Sequence, residues 1–393
     1  MRFSYHCPEC RRDYELAPEL MLCPHCSERQ EPDQPLRGVL EVRLEGRLED
    51  GFDPWRLLPV PRQFFPPIPV GNTPLWEPAN LRRHLGLAEL YIKDDGANPT
   101  GSLKDRASFL VSAFARQHGR RQIVLASTGN AGSSMAGVGA AAGQEVVLFL
   151  PKDAPKAKLI QALQYGATVH RVDGNYDLAY ELSLEYSRRF GGMNRNTAYN
   201  PMTLEGKKTV ALEVFAQLGG RAPEHVFVAV GDGCILSGVY KGFRDLLALG
   251  LIDRLPVVHA VQAEGSNALF RAFHEGRFSP RPSGTVADSI CVEVPRNGRH
   301  ALAQLKQHGG RVWAVSDQEI LEAQALLSRS SGLFTEPAGA AALAGLMRAA
   351  ADLPPSATIV VLATGNGLKD TAAAGRLVAV PERVIASLDE LEL

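Results

Sequence analysis

The sequence predicts an α/β protein in which parallel β-sheets are covered by helices on both faces. From about residue 75 onward, short apolar segments of the length of a buried strand alternate with segments of helical periodicity. The predicted strands are residues 90–93, 122–126, 145–150, 169–172, 225–230, 257–262, 312–315 and 358–362. The clearest predicted helices are residues 176–190, 204–218, 317–330 and 337–351. We expect two such lobes, with the functional site between them at the carboxyl ends of the strands.

The composition is that of an ordinary globular protein. The chain has 393 residues, 45% of them hydrophobic and 22% charged, which is enough for two or three domains. A formal net charge of −1 offers no basic surface, so we expect neither nucleic acid nor a membrane as a partner. Apolar segments such as residues 145–150 are too short to cross a bilayer. The first residues lack the apolar core of a secretory signal, and we expect a cytoplasmic protein.

Four of the six cysteines form two Cys-x-x-Cys pairs near the N-terminus. Cys7 and Cys10 are followed by Cys23 and Cys26. Two such pairs are a usual ligand set of a tetrahedral structural zinc site, which leaves no coordination position for catalysis. Redox dithiols or unrelated cysteines are the alternative interpretation. We predict a zinc ribbon over residues 1–34, which is too small to fold without its metal.

The charge of the predicted ribbon argues against binding of nucleic acid. Residues 1–34 contain four arginines and seven acidic residues, which is unfavourable next to phosphates. We therefore expect a structural or docking ribbon that takes no part in the chemistry. Residues 35–74 are rich in proline and predict an extended linker or arm. The catalytic region is then expected over residues 75–393.

Residues 98–106, with the sequence Asn-Pro-Thr-Gly-Ser-Leu-Lys-Asp-Arg, place a lysine at the start of a helix. Pro99 and Gly101 predict a turn, and Lys104 follows that turn. A lysine in such a place is usually a solvated charge. It becomes a nucleophile where its surroundings lower the pKa of its amine. Lys104 is therefore a candidate catalytic residue because of the loops that accompany it.

Three further loops follow apolar strands. Residues 126–132 (Ala-Ser-Thr-Gly-Asn-Ala-Gly) open a helix of small residues, whose first N–H groups suit a carboxylate. Residues 230–238 contain glycines that permit a backbone nest for a phosphate. Thr364 ends a strand and offers a neutral hydroxyl group. Taken singly, these loops are equally compatible with helix caps or ordinary turns.

Six motifs in this order resemble those of threonine synthases. The motifs are residues 98–106, 127–132, 200–209, 231–238, 336–342 and 364–370. Threonine synthases belong to the second structural group of pyridoxal-phosphate (PLP) enzymes, with tryptophan synthase β-subunits and serine/threonine dehydratases. The resemblance covers residues 71–370. It implies a two-lobed tryptophan synthase β-like fold, with a smaller lobe at about residues 108–204, and a homodimer. Several members of the family also carry an N-terminal four-cysteine ribbon.

The resemblance implies a role for each motif. Lys104 is the expected Schiff-base lysine and moves protons at the α- and β-carbons of the substrate. Asn130 is expected to pair with the 3-hydroxyl of PLP, and Thr364 with its pyridine nitrogen. The expected phosphate cup consists of Gly231, Asp232, Gly233, Cys234 and Ile235. The residues expected to hold the substrate carboxylate are Ser127, Thr128 and Gly129.

Two positions depart from the family pattern. Asp232 lies in a cup that usually contains asparagine, and a carboxylate beside a phosphate dianion is unfavourable, so we expect it to point away or to pair with a cation. Thr203 stands where the family has an arginine that binds the phosphate of the substrate. Threonine cannot replace a bidentate guanidinium group. Either Lys207, where glutamine is usual, compensates, or the substrate carries no phosphate.

Three functions are compatible with these motifs. The leading one is a PLP lyase or synthase that converts a small amino-acid substrate, O-phosphohomoserine, to threonine and phosphate. The second is a serine/threonine dehydratase or β-replacement enzyme with an unphosphorylated or O-phosphoserine-like substrate, which Thr203 favours. The third is an inactive paralogue whose ribbon docks a partner. The presence of Lys104, Asn130 and Thr364 argues against the third.

Overall fold

The computed structural model describes residues 1–49, 51–152, 156–387 and 390 of the chain. Three β-sheets organise this part: an N-terminal antiparallel sheet, a six-stranded sheet and a four-stranded sheet. All neighbouring strands described in the two larger sheets are parallel except one pair at an edge, so the predicted α/β class is confirmed. No helix in the described residues is long and apolar enough to span a membrane.

The N-terminal sheet extends beyond the predicted ribbon. Its elements and the helix beside it are β1 (Arg2–His6), β2 (Asp13–Tyr14), α1 (Pro24–Ser27) and β3 (Glu41–Glu45). The strand order is β2-β1-β3, and β3 lies in the segment predicted to be a linker. In β3, Val42 and Leu44 alternate with charged residues, which is a strand pattern. The proline content of the surrounding segment obscured this pattern in the sequence.

The remaining elements follow in alternation. The strands are β4 (Leu75–Trp76), β5 (Glu89–Asp94), β6 (Gln122–Ala126), β7 (Glu145–Pro151), β8 (Thr168–Val172), β9 (Met193–Asn194), β10 (His225–Ala229), β11 (Val257–Ala263), β12 (Arg311–Val315) and β13 (Thr358–Ala363). The helices are α2 (Ala79–Leu85), α3 (Lys104–Gln117), α4 (Asn130–Ala142), α5 (Lys156–Gln164), α6 (Tyr176–Phe190), α7 (Pro201–Lys207), α8 (Thr209–Gln217), α9 (Cys234–Ala248), α10 (Ala268–Glu275), α11 (Gly298–Gln307), α12 (Asp317–Ser331), α13 (Pro337–Ala349) and α14 (Thr371–Ala374). Each predicted strand overlaps an observed one. The helix predicted at residues 204–218 is divided into α7 and α8 at Lys208.

The two larger sheets form separate layers. The six-stranded sheet has the order β12-β11-β10-β13-β5-β4, and β4 is its antiparallel edge strand. The four-stranded sheet has the order β8-β7-β6-β9 and is formed by residues 122–194. The central strands of both sheets are buried over most of their length, as expected for parallel sheets that carry helices on both faces.

Two glycines bring α3, α7 and α9 into close contact. A Cβ atom at Gly206 in α7 would lie 2.3 Å from the carbonyl oxygen of Arg106 in α3. A Cβ atom at Gly238 in α9 would lie 2.7 Å from the Cβ atom of Lys207. Because no side chain fits at either point, the helices approach more closely than larger residues would allow. Three helix ends therefore lie close together. They are the start of α3 at Lys104, the end of α7 at Lys207 and the start of α9 at Cys234.

A buried ionic network anchors α3. The guanidinium of Arg106 donates to Asp95 and to Glu213, each at 2.6 Å, and the amine of Lys93 donates to Glu213 at 2.8 Å. Asp95 follows β5 and Glu213 lies in α8, so the network ties three elements together. Buried charges are tolerated where each is paired in this way, and loss of one partner costs about 3–5 kcal/mol.

The N-terminal segment shares a core with the four-stranded sheet. Tyr5, Cys7 and Cys23 belong to the same buried apolar cluster as Phe109 of α3 and Met135 of α4. The arm that follows β3 is also packed, since Leu57 is buried against α8 and its neighbours. The N-terminal residues are therefore built into the molecule rather than tethered to it.

Candidate active site

A cavity of about 310 Å³ lies between the two larger sheets. Its walls are the loops that follow β6, β8 and β10, together with residues 288–296. The cavity is thus at the carboxyl ends of parallel strands, where sites in such folds are expected. Of the residues predicted from the sequence, it is lined by Lys104, Ser127, Thr128, Gly129, Asn130, Lys207, Gly231, Asp232, Gly233, Cys234 and Ile235. Within the described part of the chain, Thr203 and Thr364 are not among its lining residues.

Lys104 is the first residue of α3. The N–H of the preceding residue, Leu103, donates to the carbonyl of Thr364 at 2.9 Å, which fixes the start of α3 beside the end of β13. Burial lowers the pKa of the Lys104 amine, and Asp232 acts in the opposite direction. Since the neutral amine is the nucleophilic form, this position suits a lysine that forms a covalent bond to a carbonyl carbon.

The loop after β6 is folded by its own serine. The Oγ atom of Ser127 accepts hydrogen bonds from the N–H groups of Gly129, at 3.2 Å, and Gly132, at 3.0 Å. Helix α4 then begins at Asn130, and the residue before it, Gly129, has no side chain that could cap the helix. The first N–H groups of a helix attract anions, so this loop can hold a carboxylate.

Asn130 is oriented by residues from the other wall. Its Nδ2 atom donates to Glu336 at 2.6 Å and to Ser289 at 3.2 Å. Its Oδ1 atom is buried and has no hydrogen-bond partner among the described residues. Burial raises the pKa of the Glu336 carboxyl, and the nearby Lys158 acts against that rise. The site therefore presents a free acceptor oxygen that suits a hydroxyl donor.

The loop after β10 forms a glycine cradle. Gly233 has a φ angle of +88°, a left-handed conformation that favours glycine, and it directly precedes α9. A Cβ atom at Gly231 would lie 2.9 Å from the Cα atom of Ile290. The cradle at the start of a long helix is the arrangement that binds phosphates in other proteins.

The carboxylate of Asp232 is held by backbone. Its Oδ1 atom accepts from the N–H of Arg296 at 2.9 Å, and its carbonyl accepts from the N–H of Asn297 at 3.0 Å. These bonds give Asp232 a role in shaping the loop. They also explain why the cup can contain an acidic residue although it is expected to hold an anion.

Two buried cations near the cavity have no carboxylate partner among the described residues. The amine of Lys207 is fully buried without any hydrogen-bond partner in that part of the chain, and burial lowers its pKa to about 7. Arg195 is also buried and donates to the hydroxyls of Thr197 and Ser108, while its Nε atom stays unpaired there. Burial of uncompensated charge is costly, and an anion in the cavity would relieve that cost.

Unlike Lys207, Thr203 has a hydrogen-bond partner among the described residues. Its hydroxyl donates to the carbonyl of Asn200 at 2.7 Å.

Several lining residues were not identified from the sequence. Tyr176 and Asp177 begin α6 just after β8, and Arg296 pairs with Asp177 across the cavity. Asp288 binds the amine of Lys158 at 2.6 Å, which joins α5 to the opposite wall. The polar residues that follow β8 were the sequence signal that could have identified Tyr176 and Asp177. The Lys158–Asp288 pair joins positions far apart in the chain and left no local signal.

The four N-terminal cysteines converge outside this cavity. All four Sγ atoms lie within 4.8 Å of one another, and all four cysteines are free thiols. The Cys7–Cys26 and Cys10–Cys23 sulfur pairs are 3.8 and 3.5 Å apart. A tetrahedral zinc site with Zn–S bonds of about 2.3 Å requires S–S distances of about 3.8 Å. The cluster therefore fits a structural zinc ion.

Comparison with known proteins defines the class of the chain. The family described as pyridoxal-phosphate dependent enzyme matches residues 68–365, a range that contains every cavity residue named above. The chain belongs to this family.

Its similar relatives are threonine synthases. The chain is 37% identical over 328 residues to threonine synthase of Methanocaldococcus jannaschii, with 82% of this chain and 81% of the relative covered. It is 33% identical over 402 residues to threonine synthase of Methanosarcina acetivorans, with 98% of each chain covered. The likeness to threonine synthases predicted from the motifs is confirmed.

Solved structures show the same fold. A threonine deaminase from T.th. is 25% identical, covers 75% of this chain and 92% of its own, and has a TM-score of 0.66. A threonine deaminase isoform 2 from Solanum lycopersicum, at 22% identity, covers 85% and 92% with a TM-score of 0.68.

We predict that Lys207→Met makes the protein more stable near neutral pH. Burial lowers the pKa of Lys207 to about 7. Between about pH 7 and about pH 10, the folded protein therefore binds fewer protons than the unfolded chain. The destabilising effect of the lysine therefore decreases as the pH rises. The advantage of the variant should be largest near pH 7 and shrink by up to about 1.4 kcal/mol per pH unit towards pH 9.

Urea unfolding in phosphate-free buffer measures this difference. The matched control is Lys306→Met, which changes an exposed lysine of α11 and should stay within about 0.5 kcal/mol of the wild type at each pH. A Lys207→Met protein that is less stable than the wild type at pH 7 would show that the amine has a counter-ion in the folded state.

Proposed function

We propose that this protein is a PLP-dependent enzyme with threonine synthase activity, which converts O-phosphohomoserine and water to threonine and phosphate. The observation that carries the proposal is the meeting of Lys104, a glycine cradle and an anion-binding loop in one cavity. The threonine synthase relatives support the choice of reaction. A homodimer, a cytoplasmic location and a structural zinc ion complete the proposal.

The residues present fit PLP. Lys104 would hold the aldehyde carbon, and the cradle at residues 231–235 would hold the phosphate. The free Oδ1 atom of Asn130 would accept from the ring hydroxyl. Thr364 is not among the described residues that line the cavity but lies beside the start of α3, and the resemblance to threonine synthases assigns it to the ring nitrogen. When bound, PLP withdraws electrons from the α-carbon of an amino acid. A neutral threonine hydroxyl at the ring nitrogen, rather than an acid, leaves the ring largely unprotonated.

The cavity residues divide the remaining tasks. The first N–H groups of α4, together with the loop at residues 127–129, would bind the substrate carboxylate and orient the α-carbon towards Lys104. The Lys104 amine, once released by the incoming substrate, would take the α-proton and return it at a neighbouring carbon. Burial lowers the pKa of this amine, which supports its use as a base. The Lys158–Asp288 pair links α5 to the opposite wall of the cavity.

Lys207 would bind the phosphate group of the substrate, with Arg195 behind it. Among the described residues the Lys207 amine is unpaired and lines the cavity, whereas Thr203 is bonded within its own helix. An approaching phosphate raises the pKa of a lysine, so binding would itself favour the charged form. Lys207 in this role compensates for the absence of an arginine at position 203.

A second candidate function is elimination or β-replacement on an amino acid with a smaller or different leaving group. The neutral Thr203 favours it, and threonine deaminases share the fold. An inactive paralogue that acts through its ribbon is a weaker candidate, because Lys104 and the cradle are intact.

Product analysis separates these functions. The holoenzyme is incubated with O-phosphohomoserine, threonine, serine and O-phosphoserine, and phosphate, 2-oxo acids and amino acids are measured. We expect threonine and phosphate in equal amounts from O-phosphohomoserine. A 2-oxo acid from threonine or serine as the main product would instead assign a dehydratase. Absence of turnover with every substrate, in protein that holds PLP, would contradict the proposed function.

The Lys207→Met variant should lose affinity for the phosphorylated substrate. A charge-assisted hydrogen bond contributes about 1.5–3 kcal/mol, so kcat/KM for O-phosphohomoserine should fall about ten- to hundredfold. The loss should appear mainly in KM, and competitive inhibition by inorganic phosphate should weaken in parallel. Lys306→Met serves as the control and should match the wild type. An unchanged KM in Lys207→Met would place the phosphate elsewhere.

A further inference from the structure

The segment that follows the cysteine cluster lies directly on it. Gly38 has a φ angle of +71°, and a Cβ atom there would be 2.9 Å from the carbonyl oxygen of Cys23 and 3.1 Å from the Cβ atom of Cys26. The carbonyl of Gly38 accepts from the N–H of Cys23 at 2.7 Å, and its N–H donates to Glu9 at 3.0 Å. Gly38 is therefore fixed by the residues that would hold the metal.

Two residues earlier, the same segment is bonded to the wall of the cavity. The N–H of Leu36 donates to the carbonyl of Arg296 at 2.9 Å. The N–H of Arg296 in turn donates to the carboxylate of Asp232 at 2.9 Å. A chain of short contacts thus runs from Cys23 through Gly38 and Leu36 to the glycine cradle.

The segment also packs on the cradle itself. Leu36 and Val39 form a small buried cluster with Ala198 and Cys234, and Leu22 and Tyr199 cover its edge. Cys234 is the first residue of α9 and lines the cavity. It is 2% exposed, so its position depends on the side chains packed behind it.

We propose that the cysteine cluster, when it holds its metal, positions the phosphate cradle of the active site, and that Leu36 and Val39 are the positioning residues that connect the two. This inference rests on the proposed function, in which residues 231–235 bind the phosphate of PLP. In a ribbon this small the metal would supply a large part of the folding free energy. Loss of the metal would free Gly38 and, with it, the packing behind Cys234.

The inference predicts a selective defect. Backbone donors bind a phosphate well only when they are held in place within a fraction of an ångström. Lys104 and Asn130 are also held by contacts outside the ribbon, through the buried network of Arg106 and through Glu336. Loss of the metal should therefore weaken binding of the phosphate of PLP and leave binding of the ring almost unchanged.

The test compares PLP with pyridoxal, which lacks the phosphate. The full-length protein is stripped of cofactor, and each compound is titrated by absorbance into zinc-loaded and zinc-depleted samples. Loss of one charge-assisted hydrogen bond corresponds to at least about a tenfold change in affinity. We expect zinc depletion to weaken the binding of PLP at least about tenfold and the binding of pyridoxal less than about twofold. Adding zinc back should restore the affinity for PLP.

Variants keep the test independent of the folding of the ribbon. Leu36→Ala combined with Val39→Ala leaves all four cysteines in place, so zinc content should stay at one per chain while PLP affinity falls and pyridoxal affinity does not. Leu44→Ala, a half-buried change in β3 outside the cluster of Leu36, Val39 and Cys234, is the matched control and should alter neither.

Each other outcome counts against the inference. Equal PLP affinity with and without zinc would overturn it while leaving the proposed function intact. Parallel loss of PLP and pyridoxal binding would assign the ribbon a general structural role and overturn it too. Failure of the zinc-loaded protein to bind PLP at all would overturn the proposed function together with the inference.

Discussion

The close contact of α3, α7 and α9 is the constraint on which the active site depends. Gly206 allows α7 to rest on the backbone of α3, and Gly238 allows α9 to rest on α7 at Lys207. Each of these helices begins or ends at the cavity. A side chain at either glycine would separate the helices and move Lys104, Lys207 and the cradle apart. Two missing Cβ atoms thus set the relative positions of three groups that come from distant parts of the chain.

The charges around the cavity follow one pattern. Three acidic residues around the cavity are engaged: Asp232 by the N–H of Arg296, Asp288 by Lys158, and Glu336 by Asn130. The cations Lys207 and Arg195 are buried without a carboxylate partner in the part of the chain that the structure describes. The protein therefore keeps two buried basic groups beside the cavity that an anion would pair with, at the expense of its own stability.

Much of the fold could be predicted from the sequence because its strands are apolar runs of the right length. The positions of Lys104 and of the loops after β6 and β10 were also predictable, since they follow strands whose carboxyl ends meet. The packing of Leu36 behind the cradle was not, because it joins residues about 200 positions apart without a local pattern. The role of Arg296 could not be predicted for the same reason. Its carbonyl accepts from the N–H of Leu36, and its N–H donates to the carboxylate of Asp232. The resemblance to a family gave Thr203 a place in substrate binding, but a resemblance does not show that its hydroxyl bonds to its own helix.

Peptide mapping of the borohydride-reduced holoenzyme identifies the lysine that binds the aldehyde of PLP. Lys104 and Lys207 line the same cavity, and burial lowers the pKa of both amines, so each is chemically able to react with an aldehyde. We expect the pyridoxyl mass on the peptide that contains Lys104, in unchanged amount when Lys207 is replaced by methionine. A label on Lys207 or on any other lysine would contradict the assignment of the catalytic residue.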